Sequence, residues 1–181
     1  VSNQVVLERV LGFTSANNCA LSLDQASGAI AYAAGCVIVL RTLDPDRQRF
    51  IQSASKKAIT AVDFSPDGKF IATGESGHHP MVRLWNVSDG SHLAEFAGHH
   101  FRVIAVRFSP SSRYLVSLGS QDDNTVYVWD RTGGQRVASA KVTNKINGVA
   151  FSPNGQFFVT VGVRHVRFWY LEIKRTRVST F

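Results

Sequence analysis

Apolar residues recur at every second position in ITAVDF (59–64), VIAVRF (103–108) and INGVAF (146–151), the period of a strand with one buried face. Short apolar runs of similar character follow in FIATG (70–74), YLVSLG (114–119) and FFVTVG (157–162), and again in MVRLW (81–85), VYVW (126–129) and VRFW (166–169). No stretch of helical periodicity competes with them. Between the first two runs of a set stands Ser-Pro-Asp-Gly (65–68) or Ser-Pro-Asn-Gly (152–155). Proline presets φ, and Asp-Gly or Asn-Gly is expected to supply the left-handed positions of a tight turn, so each pair of runs predicts a hairpin. The chain reads as all-β.

The hairpins are copies of one unit. Phe64, Phe108 and Phe151 open equivalent phrases 44 and 43 residues apart, and Trp85, Trp129 and Trp169 follow them by 21, 21 and 18 residues. A degraded copy, LSLDQASGAIAYAAGCVIVL (21–40), puts Leu23 in the phenylalanine slot and Leu40 in the tryptophan slot. The period predicts four units, at about 14–46, 47–91, 92–135 and 136–173. VVLERVL (5–11) reads as a further strand, so that 1–13 belongs to a neighbouring or closing sheet; 174–181 reads as a basic tail with Lys174, Arg175 and Arg177.

Composition narrows the setting more than the chemistry. With 181 residues, 44% hydrophobic and 18% charged, the chain suits a soluble globular module. It has no run of about 18 apolar residues that would span a membrane and no secretory leader pattern. A cytoplasmic setting is the expectation. The start at Val1 and the end on VSTF suggest a fragment. Cys19 and Cys36 lie among apolar residues without metal-ligand spacing and read as buried reduced thiols. The formal charge of +7 suits an acidic partner but equally a solvated surface, because the cations are scattered.

Motifs for catalysis are missing: no phosphate-binding glycine loop, H-E-x-x-H, nucleophile elbow or kinase set occurs, so no catalytic residue and no cofactor is expected. Asp44 with Asp46, and Asp122 with Asp123, read as turn formers rather than acid/base pairs. His78-His79 and His99-His100 are loop neighbours and predict no metal site.

Units of this length with Gly98-His99 near the start and Trp129-Asp130 near the end resemble WD40 β-propeller blades. The resemblance implies about four blades of four-stranded antiparallel sheets. Four blades fall short of the usual ring, which predicts an open arc of a larger propeller, with a small closed four-bladed ring as the rival. In that family a histidine, a turn aspartate, a second-strand Ser or Thr and the tryptophan form a hydrogen-bonded chain, here His99, Asp123, Ser117 and Trp129. The second and fourth units keep only Thr73 with Trp85 and Thr160 with Trp169, and are expected to depend mainly on packing.

The wording AGCVIVL (34–40), FSPDGKFIATGESGHHPMVRLWNV (64–87), GHHFRVIAVRFSP (98–110) and VTVGVRHVRFWYLE (159–172) is similar to one branch of that family, the large MAP-kinase-binding WD-repeat scaffolds. This implies a non-enzymatic interaction scaffold, cytoplasmic or at the centrosome and spindle pole. Its partners would be proteins of MAP-kinase (JNK) signalling, acidic or phosphorylated segments, and the remaining blades of the parent chain. The usual partner face of such propellers maps here to Lys57, Ala58, Arg102, Asp122, Asn144, Lys145, Arg164 and His165. Four of these are basic and suit an acidic peptide; a merely solvated rim is the competing reading. Nucleic-acid or RNP association is the alternative function, weakened because the aromatic residues sit in strand-core slots.

Overall fold

The computed structural model describes residues 7–15 and 17–171, and fifteen strands lie among them. The first sheet comprises β1 (Leu21–Leu23), β2 (Ile30–Ala34), β3 (Val37–Leu43) and β4 (Asp46–Gln52). The second comprises β5 (Ile59–Phe64), β6 (Phe70–Glu75), β7 (Met81–Asn86) and β8 (His92–Ala97). The third holds β9 (Val103–Phe108), β10 (Tyr114–Gly119), β11 (Thr125–Asp130) and β12 (Gln135–Lys141), and the fourth β13 (Ile146–Phe151), β14 (Phe157–Gly162) and β15 (His165–Tyr170). Every pairing is antiparallel and follows chain order. Among the described residues three sheets thus have four strands and the last has three.

Each first hairpin is closed by the residue after the unit's marker. Ser65, Ser109 and Ser152 accept the N–H of the residue five positions on, Phe70, Tyr114 and Phe157, at 2.9, 2.9 and 3.2 Å. Asp24 occupies that slot in the degraded unit and holds its turn through the N–H groups of Ala26 and Ser27. Gly68 and Gly155 take positive φ (67° and 70°), whereas Asp67 and Asn154 do not; their side chains instead receive the Ser65 and Ser152 hydroxyls at 2.5 and 2.8 Å. In the third unit Ser112 stands in the glycine slot at φ 55°.

The strands that alternation failed to reveal are the outer ones. β4, β8 and β12 (DRQRFIQ, HLAEFA, QRVASAK) are mostly exposed and carry little apolar pattern. Each belongs to the sequence unit that follows its sheet, so the repeat frame and the sheet frame are offset by one strand. β1 and β2 pack against β5, β5 and β6 against β9, and β9 against β13. The apolar residues between these faces form two cores, one centred on Ile38, Val62, Ile71 and Trp85 and one on Val106, Leu115, Trp129 and Phe158.

Burial grades along the stack. All six residues of β10 are buried, as befits a sheet covered on both faces. At the ends Leu21 and Leu23, and Val166, Phe168 and Tyr170, are 54–68% exposed. The sheets form an open arc: among the described residues the fourth shares no face with the first comparable to those between successive sheets. Residues 7–13 run as irregular chain rather than the expected strand, tied to β4 by paired hydrogen bonds between the Val10 backbone and the Gln48 amide (2.9 and 3.2 Å). Val5 and Val6 of that segment, and the basic tail, lie outside the described residues.

Successive first strands are also latched by polar contacts. Ser22 of β1 donates to Asp63 of β5 (3.2 Å) and accepts the Phe64 N–H (3.1 Å), while Arg107 of β9 reaches Asp63 at 3.3 Å. Each of these residues immediately precedes its unit's marker.

Candidate functional site

In the third sheet the indole N–H of Trp129 donates to Ser117 Oγ at 2.8 Å, and Ser117 Oγ lies 2.8 Å from His99 Nε2. Indole nitrogen is donor-only, so the serine accepts from it and gives its own proton to Nε2. The remaining ring proton then sits on Nδ1, facing Asp123 Oδ2. His99, Ser117, Asp123 and Trp129 are each at most 3% exposed. Burial of four polar groups is tolerable because the chain of bonds links them, and the link fixes β10, β11 and the loop before β9 in one arrangement. Gly119 is part of the design: a Cβ there would overlap the Asp123 carboxylate. The aspartate thus faces a histidine and a glycine and is 2% exposed.

The second and fourth sheets do more than pack. Trp85 donates to Thr73 at 2.9 Å and Trp169 to Thr160 at 2.8 Å. In the second sheet Glu75, two residues after Thr73 in the slot Gly119 fills in the third, supplies a carboxylate from the strand instead of the turn. It accepts from Ser55 (2.6 Å), Ser53 (3.2 Å), the Met81 N–H (3.2 Å) and Arg83 Nε (2.9 Å). Burial raises its pKa, but the Ser55 and Arg83 hydrogen bonds outweigh that and hold it below the ordinary glutamate range. In the fourth sheet His165 Nε2 and Thr160 Oγ1 share a hydrogen bond at 2.8 Å, the histidine entering from the turn rather than from the preceding loop. His165 is therefore tied into the tryptophan network and is not simply a contact residue of the rim.

The rim itself is built from equivalent positions. The carbonyls of Ala58, Arg102 and Lys145 accept the N–H groups of Ser76, Ser120 and Val163, each at 2.9 Å. This places three pairs of loops at one end of the sheets. Ala58, Arg102, Asp122, Lys145 and Arg164 are exposed, and among the described residues Arg102, Lys145 and Arg164 meet no carboxylate. Lys57 differs, because it is half-buried and its ammonium donates to the His78 and His79 carbonyls at 2.7 and 2.8 Å. Asn144 likewise holds the next turn, donating to the Val163 and Arg164 carbonyls at 3.2 Å. Two of the expected contact residues thus shape the rim's loops.

Sequence reasoning missed one cluster on this rim. The Gly77 N–H donates to the Phe101 carbonyl (2.8 Å) and the His79 N–H to that of His100 (3.1 Å). The His78 and His79 rings come to 4.0 Å, and those of His79 and His100 to 5.6 Å. Positive charge on His78 lowers the His79 pKa first, with His100 and Lys57 adding to it. The adjacency was legible in the repeated His-His pairs, but the pairing of their loops was not. Among the described residues no group of three or more His, Cys, Asp or Glu side chains has metal-binding geometry. Cys19 is buried, with its thiol pKa raised chiefly by that burial, and Cys36 is only partly buried; neither is in a disulfide.

The geometry has counterparts among known proteins. The model of the family "WD domain, G-beta repeat" matches residues 46–86, 90–130 and 135–169, each match spanning one outer strand and the three strands after it. WD repeat-containing protein 62 of Sus scrofa is 45% identical over 173 residues, covering 96% of this chain and 11% of the relative. Mitogen-activated protein kinase-binding protein 1 of Homo sapiens is 47% identical over 176 residues, covering 97% of this chain and 12% of the relative. The chain therefore spans about one-eighth of the length of these relatives. A chain in the crystal structure of the mitotic checkpoint complex shares the fold, with a TM-score of 0.73 at 17% identity over 84% of this chain and 49% of its own. With sheets, tryptophan networks and repeat matches in agreement, the chain belongs to the WD40 repeat family.

Proposed function

We propose that the chain is a non-catalytic protein-interaction scaffold that presents its basic loop rim to acidic or phosphorylated segments of partners in MAP-kinase (JNK) signalling or spindle-pole assembly. One observation carries this reading: Arg102, Lys145 and Arg164 are exposed on adjoining loops, held there by equivalent backbone hydrogen bonds, and have no carboxylate partner among the described residues. Guanidinium forks in that state match carboxylate and phosphate oxygens. The polar groups most resembling a catalytic set, His99, Ser117 and Asp123, are buried and committed to one another. A relative named as a mitogen-activated protein kinase-binding protein supports the signalling assignment. No helix among the described residues is long and apolar enough to cross a membrane. A cytoplasmic location, including centrosome and spindle pole, is part of the same proposal.

The test is affinity capture of MAP-kinase pathway proteins with the wild-type chain and with Arg102→Glu combined with Lys145→Glu. Capture lost in the double variant, with an unchanged circular dichroism spectrum, supports the rim. Unchanged capture rejects it. Nucleic-acid association predicts instead an RNA affinity that falls steeply with salt and survives no charge reversal.

A further inference from the structure

We propose that a cavity of about 410 Å³ at the junction of the third and fourth sheets is the receptor for a phosphorylated side chain of a protein partner. This inference rests on the scaffold reading for the kind of molecule that carries the phosphate. The cavity is lined by Lys141, Val142, Thr143, Arg164, His165 and Arg167, with Val166 completing the wall. Its size falls among ligand sites, which run from about 300 to 1,000 Å³.

The charge on its walls selects the ligand. Lys141, Arg164 and Arg167 bring three cations to one cavity, none of them within ion-pair distance of a carboxylate among the described residues, and no Asp or Glu lines it. One carboxylate would neutralise a single cation. A phosphomonoester carries about −1.5 to −2 near neutrality and offers three acceptor oxygens, which suits two planar forks and an ammonium. Neither Lys141 nor Arg167 belongs to the loop positions that the repeat pattern marks for partner contact.

The walls are held from both sheets. The Val142 N–H donates to the Asn124 carbonyl, and that of Val163 to the Lys145 carbonyl, both at 2.9 Å. Lys141 Nζ donates to the Asp123 carbonyl at 3.0 Å, Asn144 bonds the Val163–Arg164 turn, and Arg164 itself sits in the left-handed region at φ 51°. Arg167 lies over the Trp169 ring, 5.0 Å from its centroid, and that indole is anchored through Thr160 to His165. The cations are therefore mounted on backbone that is already tied in place, so binding need not order a loop.

The experiment is an NMR titration of the whole chain with a blocked Gly-phosphoserine-Gly peptide, its serine and glutamate counterparts, and inorganic phosphate. The phosphopeptide should give saturable shifts at Lys141–Asn144 and Arg164–Arg167, with at least a tenfold weaker response to glutamate and none to serine. Inorganic phosphate competing for the same residues supports the phosphate chemistry; shifts with inorganic phosphate alone leave a free-anion site and overturn the partner assignment. Lys141→Ala with Arg164→Gly, the glycine preserving the left-handed turn, should weaken the phosphopeptide at least tenfold while the circular dichroism spectrum stays that of the wild type. Equal affinity for the glutamate peptide, no saturable shift, or binding retained in that variant overturns the proposal. If capture is lost in the Arg102→Glu/Lys145→Glu variant while the phosphopeptide fails to bind, the cavity assignment falls and the rim reading stands. If the phosphopeptide binds while that variant captures normally, the reverse holds.

Discussion

The carboxylate of Asp63 accepts the backbone N–H of Phe108 at 2.8 Å, across the boundary between the second and third sheets. It also receives Ser22 from the first sheet and faces Arg107, so one acid couples three consecutive first strands. Burial, opposed by Arg107 and by these hydrogen bonds, pushes its pKa up to about 6.

That shift has a definite sign. Between its unfolded value near 3.8 and about 6, the folded chain holds a proton that the unfolded chain has lost, so stability falls as pH rises through this window. The effect is of order 3 kcal/mol by about 1.4 kcal/mol per pKa unit. Urea unfolding at pH 7, 6 and 5 should show the wild type gaining on Asp63→Asn as pH falls. A constant difference between the two proteins would remove Asp63 from the account.

Glu75 and Arg83 make a second prediction. Their side chains are 1% and 14% exposed and meet at 2.9 Å; Arg83 also donates to the exposed Glu95 at 2.5 Å, so it is the removal of Arg83 that leaves a buried charge, the Glu75 carboxylate, without its cation. Arg83→Met should cost about 3–5 kcal/mol, the range for leaving one charge of a buried pair uncompensated. Replacing both residues by Met should cost less than the two single changes together, because no orphaned charge remains. A thermodynamic cycle by chemical denaturation measures this, and strictly additive costs would contradict it.

Ser112 holds the left-handed position that Gly68 and Gly155 fill in neighbouring units. A side chain in that region costs about 1–2 kcal/mol. Ser112→Gly should therefore raise stability by about 0.5–1 kcal/mol after the entropy of glycine in the unfolded chain is deducted. Thermal unfolding of the variant checks it, and a lowered midpoint would mean that the Ser112 side chain holds its turn in some other way.

How much of this could be read in the chain depends on where each residue faces. The marker phenylalanines and the tryptophans are regular because they fill the same space between successive sheets, and packing leaves little freedom there. β4, β8 and β12 face solvent, so their side chains are free to vary and alternation does not register them. Glu75 reads as an ordinary strand-end glutamate; only the approach of Ser53, Ser55 and Arg83 from other segments shows that it replaces the turn aspartate. The tie between His165 and Thr160 is hidden for a related reason, since a turn histidine looks like a surface group until Thr160 is seen beneath it. Lys141 and Arg167 are unremarkable in sequence, and their convergence is a product of how two sheets meet.

The one-strand offset between unit and sheet bears on how such a chain changes length. Excising residues 47–91 in frame would take away nearly all of β4 together with β5, β6 and β7, and would bring β8 directly behind β3. β8 is the same kind of strand in the same place, so it can take the vacated edge of the first sheet. Loss or gain of a whole period therefore heals at the junction, whereas ending the chain at a unit boundary such as 91 would strip β8 from the second sheet and leave the edge of β7 bare. Blade number in such chains can drift by recombination without passing through an unfoldable intermediate.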